Sequence, residues 1–475
     1  MHRSDVTSAP GPQMAYERWL DSLAKAGWLS WRGRGPGGEP DESGSERIGV
    51  GEALGRVTAV PVIARWPSPR ADCAAMDGIA VRAADLAAAA ADGTTRGADD
   101  RAAHGADDGA AGRAPWTQAR PAADTRATPG EGEAGAGAVR LPAGLFEWID
   151  TGDPMPAGTD TVIARERLLP QADGSVIIAA DVAGPEARKR NVRVAGEDFA
   201  AGEVLVPAGL RLRPGHLAAA AAGGHATVAV IPRPVVAIIP TGDEIRPVGS
   251  TLRFGDIADT NSLMLAGRCR QLGVAPVVSP VVPDDPDALA AEVRRAAASA
   301  DLVLVIAGSS RGRGDHAPEV LAQVGGVAVA GVAVRPGHPA LLGHAKRPEA
   351  SQGQPGDPAG IAPVIGLPGY PVATAVIFEL FAVPLLAAIQ GCHFAPDVMS
   401  ARLDRDWASP ADVEDWVLVT LAPDADGGVP LATPTRRGAG SISLLARADA
   451  WWPIPAGQGT YPAGTRIEVR PIRAS

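Results

Sequence analysis

The chain has 475 residues, a formal net charge of −10 and an apolar fraction of 46%, which is room for about two to four domains with buried cores. That acidic balance excludes a general nucleic-acid or anionic-membrane binder, because neutralising phosphates takes a clustered basic surface, so any anion site must be local. Cys73, Cys269 and Cys392 are odd in number and far apart, which excludes a readable disulfide framework or CxxC metal site and fits a reducing compartment.

In chain order, residues 1–14 carry no apolar core of the kind a signal peptide has. No uninterrupted apolar stretch anywhere reaches the ~18 residues of a membrane span, so the expected compartment is the cytoplasm. A short amphipathic helix is predicted from Trp19 to Trp31, then a Gly/Pro-rich link through Pro40. A second helix is expected over Gly49 to Leu54, a strand over Val57 to Ala64, and a turn at Trp66-Pro67-Ser68-Pro69. From Ala87 to Ala138 there is no Val, Ile, Leu, Met or Phe, so this stretch cannot offset its own ordering entropy and reads as a disordered insertion. Short strands at Phe146 to Ile149, Thr161 to Ala164 and Val176 to Ala180 suggest a small β-rich domain interrupted by that insertion. Val204 to Pro207 and an Ala-rich helix from Pro214 to Ala222 close a separate module.

After Arg233 the rhythm changes to alternating strands and helices. Strands are predicted at Val235 to Ile239, Val274 to Val282, Leu302 to Ala307, Val327 to Val334, near Leu341, and at Ile361 to Leu367. Helices are predicted at Asn261 to Leu272, Pro286 to Ala300, His316 to Val324 and Val372 to Ile389. Apolar strands alternating with helices give an α/β multidomain fold class, with a doubly wound sheet covered on both faces. From about Phe394, strand-like pieces at Trp416 to Leu421 and Ile467 to Arg470 predict a small β-barrel or sandwich. Arg347 to Gly360 reads as a second exposed loop insertion.

Ligands on doubly wound sheets sit beyond the carboxyl ends of the strands. Four segments follow strands there: Pro240 to Glu244, Ala307 to Asp315, Pro336 to Pro339 and Leu367 to Pro371. Gly308-Ser309-Ser310 and Gly312 lie between a strand and a helix, where free N–H groups attract phosphate. Gly369 ahead of Pro371 predicts a second such helix mouth. Asp243, Glu244 and Asp315 stand beside these mouths, and carboxylates tolerate an anion when a divalent cation such as Mg²⁺ lies between them. Alone, each Gly-Asp-Glu or Pro-Gly-x-Pro is better explained as a turn or cap, and Met76-Asp77-Gly78 as a β-turn; the ordered set is what carries weight. The eight histidines have no ligand spacing. His338 is of interest for its loop position, and Trp451-Trp452 reads as core or interface.

The ordered motifs resemble the MoeA family of molybdopterin molybdenumtransferases, which includes the E domain of gephyrin. The match runs from about Trp19 to the end, outside the two insertions. Met76-Asp77-Gly78-Ile79-Ala80-Val81-Arg82 is similar to that family's MDGYAVR, Thr151 to Gly158 to its TGAPxPxG, and Asn191 to Phe199 to its NxRxxGEDF. Thr241 to Glu244 resembles its TGDE, and Asp259-Thr260-Asn261-Ser262 its DSNS. The resemblance implies a four-domain elongated subunit that forms homodimers, with an active site between the α/β domain of one subunit and the β-rich domain of the other. On this sequence the domains would be 14–70 with 186–232 (elongated), 71–185 (β-rich), 233–391 (molybdopterin-binding α/β) and 392–475 (C-terminal β-barrel).

The implied activity is insertion of molybdate into adenylylated molybdopterin with release of AMP, dependent on a divalent cation. The implied catalytic residues are Asp77, Thr151, Asp198, Glu244 and Asp315, with Glu244 and Asp315 holding the metal. Asp284 or Asp285 lies where the family has another acid, and Asp284 joins the binding set of Gly242, Asp243, Gly308, Ser309, Ser310, Pro336, Gly337, His338, Pro368, Gly369, Pro371 and Ser443. No nucleic-acid or membrane partner is implied; other proteins of molybdenum cofactor biosynthesis are. The chain departs from the pattern where GGVSVG is Gly308-Ser309-Ser310-Arg311-Gly312, where the usual tyrosine is His316, where the PGKP lysine is His338, where the PGNP asparagine is Tyr370, and where the paired serines are Ser443-Leu444. Lysine occurs only at Lys25, Lys189 and Lys346, so a drift away from lysine favours arginine, and histidine at 338 points to a pH-dependent oxyanion contact. The rival readings are a non-catalytic paralogue that binds or stores the pterin cofactor and a CinA-type hydrolase, against which Asp77 and Asp198 count.

Overall fold

The computed structural model describes residues 9–28, 44–92, 138–178, 188–307, 316–348, 360–392, 395–424 and 427–472. The chain divides into two compact units, one of residues 1–62, 206–218 and 226–475, the other of residues 63–205 and 219–225.

The larger unit is built on a six-stranded sheet in the spatial order Ala275–Val278, Val235–Pro240, Leu302–Ala307, Ile361–Pro368, Leu341–Lys346, Gly325–Ala330. The first four strands are parallel and the last two antiparallel. Strand alternation separates two cores. Leu302, Leu304 and Ile306 face one with Val236, Ile238 and Ile365, while Val303 and Val305 face the other with Ala237, Ile239 and Val364. The first face is covered by helices Pro12–Lys25, Thr260–Gln271 and Pro371–Ile389, the second by Pro286–Ala297 and Ala317–Val324. This is the doubly wound arrangement expected from the unbroken apolar strands.

Local chemistry sets the helix starts. Asp259 accepts from Ser262 N at 3.0 Å ahead of Thr260–Gln271, and Asp285 accepts from Ala288 N at 2.8 Å with Pro286 in the first turn of the next helix. The helix from Pro371 widens to π geometry over Phe378–Ala382 just ahead of Pro384, which lacks the N–H to continue the ladder. Among the described residues it is the one helix long and apolar enough to cross a membrane, but 67% of its apolar window is buried in the domain. Glu379, midway along it, is bonded to Arg268 Nε at 2.7 Å and Nη2 at 3.1 Å.

Five strands close a C-terminal barrel: Glu414–Ala422 pairs with Leu431–Pro434, then Met399–Leu403, Arg466–Pro471 and Ala450–Ile454, which returns to Glu414–Ala422. Val417, Val419, Leu403, Trp452 and Val469 fill it. Trp451 faces outward from it into the α/β core, edge-on to Trp416 at 5.9 Å. The two-residue strand Val334–Arg335 leaves the α/β sheet and pairs in parallel with Glu414 and Asp415.

The smaller unit holds the sheet Phe146–Ile149, Gly78–Val81, Thr161–Ala164 and the sheet Val139–Leu141, Val176–Ile178, Leu168–Pro170, around Ile79, Leu86, Leu141 and Ile163.

Several local expectations need correcting. The first helix is Pro12–Lys25, not Trp19 to Trp31: Pro12 starts it, Trp19 and Leu23 are its buried anchors, and Gly27 at φ 88° stops it, with Trp28 N bonded to Leu23 O at 2.9 Å. Gly49 to Leu54 is not a helix. Glu46–Gly49 is a strand pairing with Thr227–Val230, followed by one 3₁₀ turn. Val57 to Ala64 forms isolated bridges and the short strand Val62–Ile63. The alanine run that opens the first insertion is helical, Ala83–Asp92, pinned by buried Leu86; residues 93–137 and 349–359 lie outside the described residues.

Candidate active site

Three loops gather at the carboxyl edge of the six-stranded sheet. The first follows Val235–Pro240. Thr241 N and Oγ1 both donate to Ile306 O, at 3.1 and 2.9 Å, and Gly242 N donates to Val282 O. Asp243 and Asp284 then embrace: Asp284 N donates to Asp243 Oδ1 at 3.2 Å and Asp243 N to Asp284 Oδ2 at 3.4 Å. Each carboxylate keeps one oxygen outside this exchange. Gly242 has φ 132°, and a Cβ there would meet Glu244 Oε2 at 2.9 Å, so the glycine makes room for the Glu244 carboxyl group. Asp285 is occupied as a helix cap, which leaves Asp284 as the acid facing this loop.

The second loop is Pro336 to Pro339. It precedes an antiparallel strand, yet it lies at the same edge, since Leu341 stands opposite Gly366 at the end of the neighbouring strand. His338 is half-buried, with Nδ1 2.8 Å from Val332 O. A carbonyl can only accept, so Nδ1 carries the proton and Nε2 can donate to an anion only in the imidazolium form.

The third loop, Pro368 to Pro371, is tied down by Asn261, whose Nδ2 donates to Gly369 O at 2.7 Å. Asn261 is 8% exposed and its Oδ1 has no partner among the described residues. The expected open mouth at this helix start needs correction. Pro371 has no N–H, Val372 N donates to Ala439 O at 2.9 Å, and Thr374 N to Tyr370 O at 2.9 Å. The barrel's own carbonyl therefore occupies a donor that an anion would have used. Of the other mouth, Gly308, Ser309, Ser310 and Asp315 lie outside the described residues.

Positive charge comes instead from residues the sequence reading missed. The second and third loops face the barrel across a cleft of about 850 Å³, lined among others by Pro336, Gly337, His338, Pro368 and Tyr370 on one side and Thr435, Arg436 and Arg437 on the other, with Arg335 between. Arg335 and Arg436 carry no ion pair among the described residues. The only local signal was the Arg-Arg-Gly-Ala-Gly-Ser run at 436–441, a turn-rich cationic segment after a strand. Ser443 sits on the exposed side of the short helix Ile442–Arg447, and Leu444 lines the cleft in its place.

In the smaller unit, Asp77 Oδ1 accepts from Thr151 Oγ1 at 2.6 Å and from Thr151 N at 2.7 Å. The Thr151 hydroxyl, then its N–H, and more weakly the charge of Arg165 hold the Asp77 carboxyl below the usual carboxylate range. Gly78 is compulsory beside it, since a Cβ would lie 1.9 Å from Ile163 O. Asp198 stands on a separate turn, its N–H donating to Ser68 O at 2.9 Å; no described contact joins it to Asp77.

Among the described residues no group of three or more His, Cys, Asp or Glu side chains is placed to hold a metal. Asp243, Glu244 and Asp284 do offer carboxylate oxygens only, exposed on two loops that meet through the Asp243–Asp284 exchange. That donor set fits a Mg²⁺ ion completed by oxygens of a substrate, which needs only one or two protein carboxylates.

Three family models match the chain in order: the MoeA N-terminal region, domains I and II, over residues 15–224; a probable molybdopterin binding domain over residues 237–388; and the MoeA C-terminal region, domain IV, over residues 400–472. The molybdopterin molybdenumtransferase of Nostoc sp. is 30% identical over 348 residues, covering 73% of this chain and 70% of its own. That of Synechococcus elongatus is 28% identical over 430 residues, covering 90% and 94%. A molybdopterin biosynthesis MoeA protein from Pyrococcus horikosii superposes with a TM-score of 0.70 at 26% identity, over 98% of this chain and 100% of that one.

Proposed function

Because the chain belongs to the MoeA family and its role lies in molybdenum cofactor biosynthesis, we propose that it inserts molybdate into adenylylated molybdopterin and releases AMP. The observation that carries this reading is the cleft itself. Three arginines and two Pro-Gly loops border it, at the same sheet edge as the exposed acids Asp243, Glu244 and Asp284. The strand before Asp243 and Glu244 lies two positions from the strand before Tyr370, about 10 Å at ordinary strand spacing, a span suited to one elongated ligand with an anionic end and a nucleotide end.

In this reading the arginines and His338 hold oxyanion charge, the Pro-Gly loops let backbone approach the pterin, and Glu244, Asp284 and Asp315 would hold a divalent cation beside the adenylyl phosphate. When bound, that cation would neutralise charge on the phosphate oxygens. The protein's share is alignment and electrostatics. Asp77, Thr151 and Asp198 enter the same site as a second half contributed by the partner copy of a homodimer.

The test is to incubate purified protein with adenylylated molybdopterin, Mg²⁺ and molybdate and to follow nucleotide release. AMP formed in step with molybdate uptake supports the insertase. Tight pterin binding with no AMP over many hours would replace it with a cofactor-binding paralogue.

A further inference from the structure

Arg437 differs from the other two cleft arginines in being held rigidly. Its Cζ lies 4.6 Å over the ring of Trp407, and its Nη2 donates to both Ala408 O at 2.7 Å and Asp415 Oδ2 at 2.9 Å. Asp415 is 2% exposed, and the same Oδ2 also accepts from Ser409 Oγ at 3.0 Å. A buried carboxylate is costly unless it is paired and hydrogen-bonded, so this one is kept in place by the guanidinium it holds. The grip is end-on. It takes one corner of the planar fork and leaves Nε and Nη1 without a partner among the described residues, on a side chain that lines the cleft.

The indole supplies a second argument. Trp407 Nε1 is buried with no hydrogen-bond partner among the described residues, a cost that phenylalanine would avoid. Tryptophan gains from its larger, more electron-rich face, which binds a cation best. The ring under Arg437 is therefore used for its face.

We infer that Trp407 and Asp415 are positioning residues that lock Arg437, so that its free edge receives a tetrahedral oxyanion in the cleft. The inference rests on the reading that this cleft takes anionic substrate, and it adds which group recognises the anion and what holds that group still. A planar fork fixed on two sides loses little freedom on binding and can offer two parallel N–H donors to one anion. Arg335 and Arg436, free of ion pairs among the described residues, keep the cleft cationic against its two lining acids, Asp412 and Asp415. The anion is either free molybdate or the phosphate of a nucleotide, and the two are separable by experiment.

Equilibrium binding of labelled molybdate and, separately, of AMP is measured on the full chain and on Asp415→Asn, Trp407→Phe and Arg437→Lys, with melting temperature recorded alongside. Asp415→Asn should weaken one of the two ligands about tenfold and Trp407→Phe the same ligand about threefold. Arg437→Lys, which keeps the charge but not the fork, should resemble Asp415→Asn. Trp407→Phe should shift the melting temperature little, since the lost indole face is offset by removal of an unpaired buried donor; weaker binding with stability nearly unchanged is the signature of a positioning residue. Loss for molybdate alone assigns the free oxyanion, and loss for AMP alone assigns the nucleotide phosphate. Unchanged affinity for both ligands in Asp415→Asn and Trp407→Phe overturns the inference, as does a parent protein that binds neither. A parent that binds an anion through Arg437 yet releases no AMP overturns the insertase reading and leaves this inference standing.

Discussion

Gly337 is where loop geometry and core packing meet, and Gly337→Ala separates their contributions. The residue has φ 127°, and a Cβ there would lie 2.8 Å from Ile377 Cδ1 and 2.9 Å from its Cγ1. Ile377 is fully buried in the helix that follows Tyr370. The backbone conformation costs an alanine about 1–3 kcal/mol, and forcing a methyl group into a packed side chain about 1–3 kcal/mol more. The expected loss is therefore about 2–6 kcal/mol, a large part of an ordinary domain's stability. Gly249→Ala is the matched control: its φ is 90° with nothing within 4 Å of the added methyl, so it should lose only the backbone share, about 1–3 kcal/mol. Ile377→Val removes Cδ1, the nearer of the two clashing atoms, and leaves Cγ1, so it should restore part of the stability of Gly337→Ala while costing about 0.5–1.5 kcal/mol alone. Urea unfolding followed by tryptophan fluorescence reads the parent, the three single variants and the Gly337→Ala/Ile377→Val double variant. If Gly337→Ala is no less stable than Gly249→Ala, or Ile377→Val fails to rescue it, the packing of this loop against the helix is not as described.

Thr151→Val removes the hydroxyl that does most to keep Asp77 ionised and leaves the backbone N–H. The Asp77 carboxyl should then titrate at higher pH, by ¹³C-detected titration, and the acid limb of AMP release should move the same way; an unmoved limb would detach Asp77 from the reaction. Burial pushes the Glu414 carboxyl up, against the pull of Trp416 Nε1 and Arg470. The folded state then holds this proton more tightly than the unfolded chain, so stability is lost as pH rises from the ordinary carboxylate range through the raised folded value. Glu414→Gln keeps an acceptor for Trp416 and should be more stable than the parent at neutral pH, the difference vanishing in acid; equal melting profiles across that range would contradict this. Asn261→Ala leaves Gly369 O without its donor and should cost about 1–2 kcal/mol, read by urea unfolding, and weaken pterin binding; a neutral variant would show that Asn261 does not hold the third loop.

Regular elements were legible wherever one strong pattern acted locally. Leu302–Ala307 is six apolar residues in a row because both of its faces are covered, and Pro214–Ala222 is an alanine run opened by proline. The N-terminal helix was misplaced because Trp28 and Trp31 extend an apolar rhythm that Gly27 breaks. The acids of the first loop could be read as a group, since turn chemistry and strand ends coincide there. Arg436 and Arg437 could not. They reach Pro336 and Tyr370 through a barrel that docks on the α/β domain by the Val334–Arg335 ladder, and pairings of long sequence separation leave no trace in local periodicity. The same docking spends the helix N–H of Val372 on Ala439 O, which composition around Pro371 could not reveal.

The most direct measurement is of the product. Protein incubated with adenylylated molybdopterin, Mg²⁺ and molybdate is mixed with a molybdoenzyme lacking its cofactor, and recovered activity is compared with AMP formed. Recovery that rises in proportion to AMP, and is absent when molybdate is omitted or when Asp77→Ala replaces the parent, is the predicted result. AMP formed without any recovery, or equal recovery in the Asp77→Ala protein, would contradict a molybdenum-inserting site of this composition.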